Sequence, residues 1–206
     1  MNLKTPSKRE QKELYRKLVH ISSLMVPLSY RYLFHYDRAL TLKILLPLAF
    51  LAIIVELVRL ENKTVKKVFY RIFGIMLRKH EIVNLTGASY LLTSSVLTIT
   101  LFPANIAFIA LSFLAIGDTL AAIFGIRFGK RKIKDSYKSF EGCIACFAGC
   151  FIYALFFGIH PAMALTGALS ATFAEVSRIP VDDNIKIPII TAIIMSLVSI
   201  IIPVTL

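Results

Sequence analysis

Charge is what this chain has least of. Asp, Glu, Lys and Arg make up 17% of its 206 residues, against roughly 25% in a soluble domain, and that shortage argues against an ordinary soluble globule. Hydrophobic residues account for 57%. Small-residue cleavage signals are scarce as well: the first 17 residues hold eight charged side chains, and the apolar run behind them has no cleavage site that would mark a signal peptide, so that run is expected to stay in the mature protein. Cysteine is limited to Cys143, Cys146 and Cys150. Their i, i+3, i+7 spacing sets them on one helical face. With no fourth ligand nearby and thiolates costly in hydrocarbon, that face reads as helix packing in preference to a metal site. No nucleic-acid motif accompanies the excess of Lys and Arg (24) over Asp and Glu (12), so nucleic acid is not the partner this charge implies.

What remains is hydrophobic length. Apolar runs near the roughly 20 residues that cross a bilayer recur along the chain, at about 18–35, 40–60, 84–101, 104–125, 141–159, 162–177 and 186–205. The expectation is an all-α, polytopic membrane bundle of about seven helices: a basic segment at residues 1–17, then one transmembrane unit at 18–206. Lys and Arg near span ends stay preferentially cytoplasmic. Lys4, Lys8, Arg9, Lys12, Arg16 and Lys17 precede the first span; Arg59, Lys63, Lys66, Lys67, Arg71, Arg78 and Lys79 follow the second. Arg127, Lys130, Arg131, Lys132, Lys134 and Lys138 follow the fourth, and Arg178 and Lys186 the sixth. With the amino terminus in the cytoplasm, only Arg31, Arg38 and Lys43 fall on the other side. Attraction to anionic lipid, about 1 kcal/mol per basic residue near the surface, accounts for much of this charge.

The acids are more informative, because a carboxylate near hydrocarbon depth costs several kcal/mol and marks a functional candidate. Glu56, Asp118, Glu141, Glu175 and the pair Asp182-Asp183 all fall in or near the cytoplasmic half of that topology. Acids beside basic loops suit Mg²⁺ and a polyphosphate, since Mg²⁺ takes one or two carboxylates and fills its shell with phosphate oxygens and water. A structural role is the alternative for any one of them, such as Glu56 paired with Arg59 one turn on.

Gly117, Ala121 and Gly125 repeat every four residues beside Asp118, a small-residue face that lets another helix or a ligand approach the backbone. Gly125 to Lys130 is not a Walker A loop: it is one residue short, has no Ser or Thr after the Lys, and follows a helix. In Lys138-Ser139-Phe140-Glu141-Gly142, Ser139 can cap the fifth span, whose amino end offers free N–H groups to phosphate, with Lys138 and Lys130 closing the charge. Asp182-Asp183-Asn184 reads either as part of the site or as a solvated turn.

Together these residues resemble the CTP-dependent lipid-alcohol kinases, the family of dolichol kinase, phytol kinase and yeast-type diacylglycerol kinase. Arg16-Lys17-Leu18-Val19-His20 is similar to its Arg-Lys-x-x-His, Glu56-Leu57-Val58-Arg59 to its Glu-x-x-Arg, and Arg78-Lys79-His80-Glu81 with Thr86-Gly87-Ala88-Ser89-Tyr90 to the lead into its third core helix. Gly117-Asp118 through Gly129-Lys130, then Lys138-Ser139-Phe140-Glu141-Gly142, is the most specific stretch, and Glu175 with Asp183-Asn184 closes the series. The resemblance implies an integral membrane enzyme of the cell inner membrane or endoplasmic reticulum, its site facing the cytoplasm, that phosphorylates a polyprenol, phytol or diacylglycerol from CTP with Mg²⁺. On that basis Asp118 and Asp183 hold the metal, assisted by Asn184. Lys130 and Lys138 take phosphates among Gly125, Gly129, Ser139 and Gly142, while Glu141 and Glu175 orient metal or nucleotide, and one acid serves as base. His20 either guides the headgroup or holds the chain at the surface. Glu56 is a further candidate near the substrate, and Gly87, Ser89 and Tyr90 either line the acceptor groove or pack helices.

Phosphatidate cytidylyltransferases share a related Gly-Asp…Gly-Lys…Lys-x-x-Glu-Gly stretch and form the rival reading. Their carboxy-terminal Pro-Gly-His-Gly-Gly and Asp-Arg-x-Asp signatures are missing here. A small transporter or scaffold is the non-enzyme alternative, but an ion path would place acids through both halves of the membrane.

Overall fold

The structure is a computed structural model that describes residues 8–74, 76–78, 80–133, 138–202 and 204. Lys4, Lys79 and Lys134, counted above among the basic residues, lie outside the described residues, as do the side chains of Lys8, Arg9 and His80. Among the described residues all regular structure is helical, apart from one isolated bridge between Lys132 and Ser139. A helical segment occupies each of the seven apolar runs.

The first helical stretch is one bent rod. Helix α1 (Lys8–Ile21) runs through a tight turn at Ser22–Leu24 into α2 (Met25–Leu28) and a wide turn at Ser29–Leu33. Pro27 lies inside this stretch, and a proline removes one N–H and crowds the preceding turn, which shifts the ladder away from regular α spacing. The expected boundary at residue 17 therefore falls inside α1.

Helix α3 (Arg38–Glu61) starts on Asp37, whose carboxylate accepts from the Leu40 N–H at 2.9 Å. It ends at Asn62, whose side chain accepts from the Thr64 and Val65 N–H groups and starts a second helix, α4 (Lys63–Phe73). Only a connection was expected at α4, since an 11-residue amphipathic helix is far below crossing length. Then come α5 (Gly87–Leu101), α6 (Ala104–Arg127), α7 (Phe140–Phe156), α8 (Pro161–Val176) and α9 (Asp183–Val198).

Two helices, α3 and α6, are long and apolar enough to cross a membrane, with mean hydropathies of 2.3 and 2.1. They are used differently. Helix α6 is apolar on all sides and sits at the centre, packed against α1, α5, α7, α8 and α9, with a continuous buried run from Ile106 to Ala115. Helix α3 leaves Leu46, Phe50, Leu51 and Leu57 exposed, a bare apolar surface of the kind that meets lipid or another apolar partner. Cys146 and Cys150 pack against Gly117 of α6, where an added Cβ would lie 3.0 Å from both sulfurs, which fits the packing role expected of that cysteine face.

At one end of the bundle a buried ion pair holds the α4–α5 connection. Glu56 and Arg59 are 2% and 1% exposed. Arg59 Nε donates to Glu56 Oε2 at 2.8 Å, and its two terminal nitrogens donate to the carbonyls of Glu81 (2.9 Å) and Asn84 (2.7 Å). Glu56 Oε1 accepts from the Thr86 N–H (3.2 Å), the Thr86 hydroxyl (2.5 Å) and Ser89 (3.3 Å). Glu81 in turn accepts from the N–H groups of Arg78 (2.6 Å) and Gly87 (3.0 Å). Removing one partner strands a buried charge, which costs about 3–5 kcal/mol. Arg59→Met is therefore expected to lower the thermal midpoint, followed by circular dichroism in detergent, by far more than Arg71→Met on the exposed side of α4.

Candidate active site

At that same end, three helices each deliver one acid to a common point. Asp118 comes from α6, Glu175 from the last turn of α8 and Asp183 from the first turn of α9, and one carboxylate oxygen from each lies within 4.8 Å of the others. Asp118 and Glu175 are buried, Asp183 half-buried. Bringing three anions together in an apolar bundle is tenable only with cations among them. Lys17 of α1 pairs directly with Asp118, and His20 Nε2, one turn on, lies 3.3 Å from the same oxygen. Lys138 reaches Glu175 Oε1 at 3.0 Å and Asp183 Oδ2 at 3.3 Å, and also donates to the Glu175 carbonyl. Lys186 binds Asp183 Oδ1 at 2.8 Å and the Ser177 carbonyl at 3.1 Å. Arg78 stands 3.6 Å from Asp182.

Burial pushes the Lys138 ammonium toward neutrality, but Glu175 and Asp183 outweigh it; its pKa lies above the ordinary lysine value, so it stays charged across the physiological range. Glu175 Oε2 is buried with no hydrogen-bond partner among the described residues. Three carboxylates from three helices with an unpartnered oxygen among them fit a small cation that prefers oxygen ligands, such as Mg²⁺.

An open cleft of about 320 Å³ lies beside the acids, lined by Arg78, Asn84, Tyr90, Ile179–Val181, Asp182 and Asp183. One part of its wall is polar and charged, with Arg78 beside Asp182 and Asp183, and another is apolar, so it can meet an ionic group and a hydrocarbon at once.

Of the residues singled out by sequence, Asp118, Glu175, Asp183, Lys138 and His20 come together, and Tyr90 lines the cleft. Asn184 turns back on its neighbour, donating to Asp182 Oδ1 at 2.7 Å, while Gly87 lies so close that an added Cβ would be 3.0 Å from the Asn184 amide nitrogen. Ser139 caps α7, accepting from the Gly142 N–H at 3.2 Å. Gly125, Gly129 and Gly142 gather around that hydroxyl, and a Cβ on Gly129 would fall 2.1 Å from the Gly125 carbonyl, so glycine is required there by close approach.

Other residues are placed elsewhere. Glu141 is not in the acid cluster: its carboxylate accepts from the Arg131 N–H at 3.2 and 3.3 Å and holds the turn after α6. Lys130 is exposed. Glu56 and Ser89 belong to the Arg59 network. Lys17, Arg78 and Lys186 were not singled out individually. Lys17 had a readable signal, since Lys17 and His20 are three apart and share a helical face.

Known proteins resemble this chain in sequence. An uncharacterized protein of Rickettsia prowazekii is 27% identical over 189 residues, covering 86% of this chain and 90% of its own. An uncharacterized protein of Methanocaldococcus jannaschii is 35% identical over 115 residues, 53% of this chain and 58% of its own. CTP-dependent diacylglycerol kinase 1 of Saccharomyces cerevisiae is 25% identical over 217 aligned positions, 90% of this chain and 73% of its own, which bears out the resemblance read from the motifs. No solved structure matches. Because the match to the family runs over residues 2–205, taking in every helix and all three acids, the chain belongs to the cytidylyltransferase family.

Proposed function

We propose that the protein is an integral membrane kinase that transfers the γ-phosphoryl group of CTP to the hydroxyl of a membrane lipid alcohol, at the cytoplasmic interface. The observation that carries the reading is the meeting of Asp118, Glu175 and Asp183 within 4.8 Å, beside an open cleft. Phosphoryl transfer needs mainly positioning and neutralised charge, and this end of the bundle supplies Lys17, Lys138, Lys186 and Arg78 in fixed places. Kinship with a CTP-dependent diacylglycerol kinase supports CTP as donor and a lipid as acceptor.

Asp118, Glu175 and Asp183 would hold Mg²⁺, which when bound would neutralise the polyphosphate. Lys138 and Lys17, which stand beside the acids, would bind the phosphate oxygens, and the Ser139-capped amino end of α7 would offer further N–H donors. The lipid hydroxyl oxygen bonds to the γ-phosphorus, the bond to CDP breaks, and the hydroxyl proton leaves to a carboxylate of the cluster. The apolar strip Ile179–Val181 faces the lipid.

The distribution of charge supports crossing of the bilayer with the amino terminus inside. Lys12, Lys17, Arg59, Arg78, Lys138 and Lys186 belong to the acid end. At the far end Arg31 is enclosed by the rings of Tyr32, Tyr36, Phe108 and Phe157 at 5.0–5.9 Å, and Arg38 donates to the Phe102 carbonyl at 2.9 Å. Helices of 15–17 residues are short for a crossing, and a bundle of them fits where the bilayer thins locally.

The family's description favours a second reading, transfer of a cytidylyl group to phosphatidate with release of pyrophosphate. The two separate by label. Purified protein with Mg²⁺, γ-labelled CTP and polyprenol, phytol or diacylglycerol is expected to place label in one lipid. Label appearing in lipid only from α-labelled CTP and phosphatidate, with pyrophosphate released, would sink the kinase assignment.

In the productive assay, Asp118→Asn and Lys138→Gln are each expected to lower turnover by about 100-fold or more with helicity by circular dichroism unchanged. Full activity in either would remove that residue from the site. Chelation with EDTA is expected to abolish turnover and to leave the far-ultraviolet spectrum intact, with excess Mg²⁺ restoring activity.

A further inference from the structure

We propose that α4 is a membrane-surface helix that binds the anionic headgroups of the leaflet at the acid end of the bundle. Its sequence, KTVKKVFYRIF, carries four cations and no acid in 11 residues. At 100° per residue, Lys63, Lys67 and Arg71 lie on one side, and Val65, Val68, Phe69 and Ile72 on the other. The protein covers only part of the apolar side. Val65 and Phe69 are half-buried, whereas Val68, Ile72 and Phe73 are exposed, Ile72 to 64%.

Among the described residues these cations have no ion-pair partner: no carboxylate lies within ion-pair distance of Lys63, Lys66, Lys67 or Arg71, although elsewhere at this end cations are paired with acids. An apolar strip left bare beside unpaired cations is complementary to a leaflet that presents hydrocarbon below and negative charge above. The neighbourhood agrees. Helix α4 begins where the apolar helix α3 ends, at Asn62, and its main packing partner is α3. At its other end α1 joins it, Lys12 donating to the carbonyl of Gly74, which follows α4, at 3.1 Å.

The surface also connects to the site. The Phe69 ring lies 5.0 Å from the Arg59 guanidinium, which bonds the carbonyls of Glu81 and Asn84, and Asn84 lines the cleft. A helix seated in the headgroups therefore braces the cleft wall at the depth where a lipid headgroup arrives. The inference rests on the membrane part of the proposed function and is independent of the reaction catalysed.

The chain contains no tryptophan, so one introduced residue reports its own surroundings. Ile72→Trp and Lys67→Trp would be made in the full chain and reconstituted into phosphatidylcholine vesicles with and without phosphatidylglycerol. The Ile72→Trp emission is expected to shift to the blue with phosphatidylglycerol present, to be quenched by lipid brominated in the upper acyl chain, and to be shielded from acrylamide. Lys67→Trp is expected to remain open to acrylamide. Adding Lys63→Gln, Lys66→Gln and Arg71→Gln to Ile72→Trp should abolish the response to phosphatidylglycerol. A chain retained in vesicles against alkaline carbonate but with Ile72→Trp as open to acrylamide as Lys67→Trp would overturn the role of α4 alone. A chain released by carbonate would overturn the membrane reading and this inference together.

Discussion

Charge pairing in apolar surroundings is the constraint from which the rest of this structure follows. A carboxylate among helices cannot be left bare, and removing its partner costs more than the pair contributes. Asp118 on the central helix is tied to Lys17 on α1; Glu175 and Asp183, at the facing ends of α8 and α9, share Lys138 from the loop before α7. Four helices and a loop are fixed at one end by the needs of three acids. Packing of small residues does the same work elsewhere, as where Gly142 lets α7 approach the Ala121 carbonyl.

Buried acids of one chemical type serve two purposes here, and their satisfaction separates them. Glu56 accepts from Arg59, Thr86 and Ser89 and has nothing left to offer a ligand. Glu175 is as deeply buried, yet one oxygen has no hydrogen-bond partner among the described residues. A completed network rigidifies; an incomplete one retains the capacity to bind. The first type holds in place the connection at residues 78–87, which helps to line the cleft, and the second lies within 4.8 Å of Asp183, which lines it too.

Much of this was legible in the sequence, because hydrophobic length and charge placement act on long segments. The apolar runs became helices, and Asp118, Glu175 and Asp183 stood out as acids where acids are costly. Ser139 as a cap was readable from its position before an apolar run. The failures have a common cause in tertiary pairing. Whether Glu56 belongs to a substrate or to Arg59 depends on residues 81–89 folding back over α3. Glu141 looks like a site acid in sequence, but the turn at Arg131 claims it. Helix α4 is hard to read because a short amphipathic segment between spans falls far below crossing length and looks like a loop. Lys17 sat within a basic segment whose charge topology alone could explain.

The ring cage around Arg31 closes the end of the bundle remote from the acids. Its cation is held by aromatic faces and the Tyr36 hydroxyl, and Tyr153 and Ser112 complete the seal through their own hydrogen bond. The two ends of the bundle thus hold charge by different means, salt bridges beside an open cleft at one and aromatic faces at the other. A cation held by ring faces needs no carboxylate beside it, so Arg31 sits among apolar helices with no ion-pair acid among the described residues.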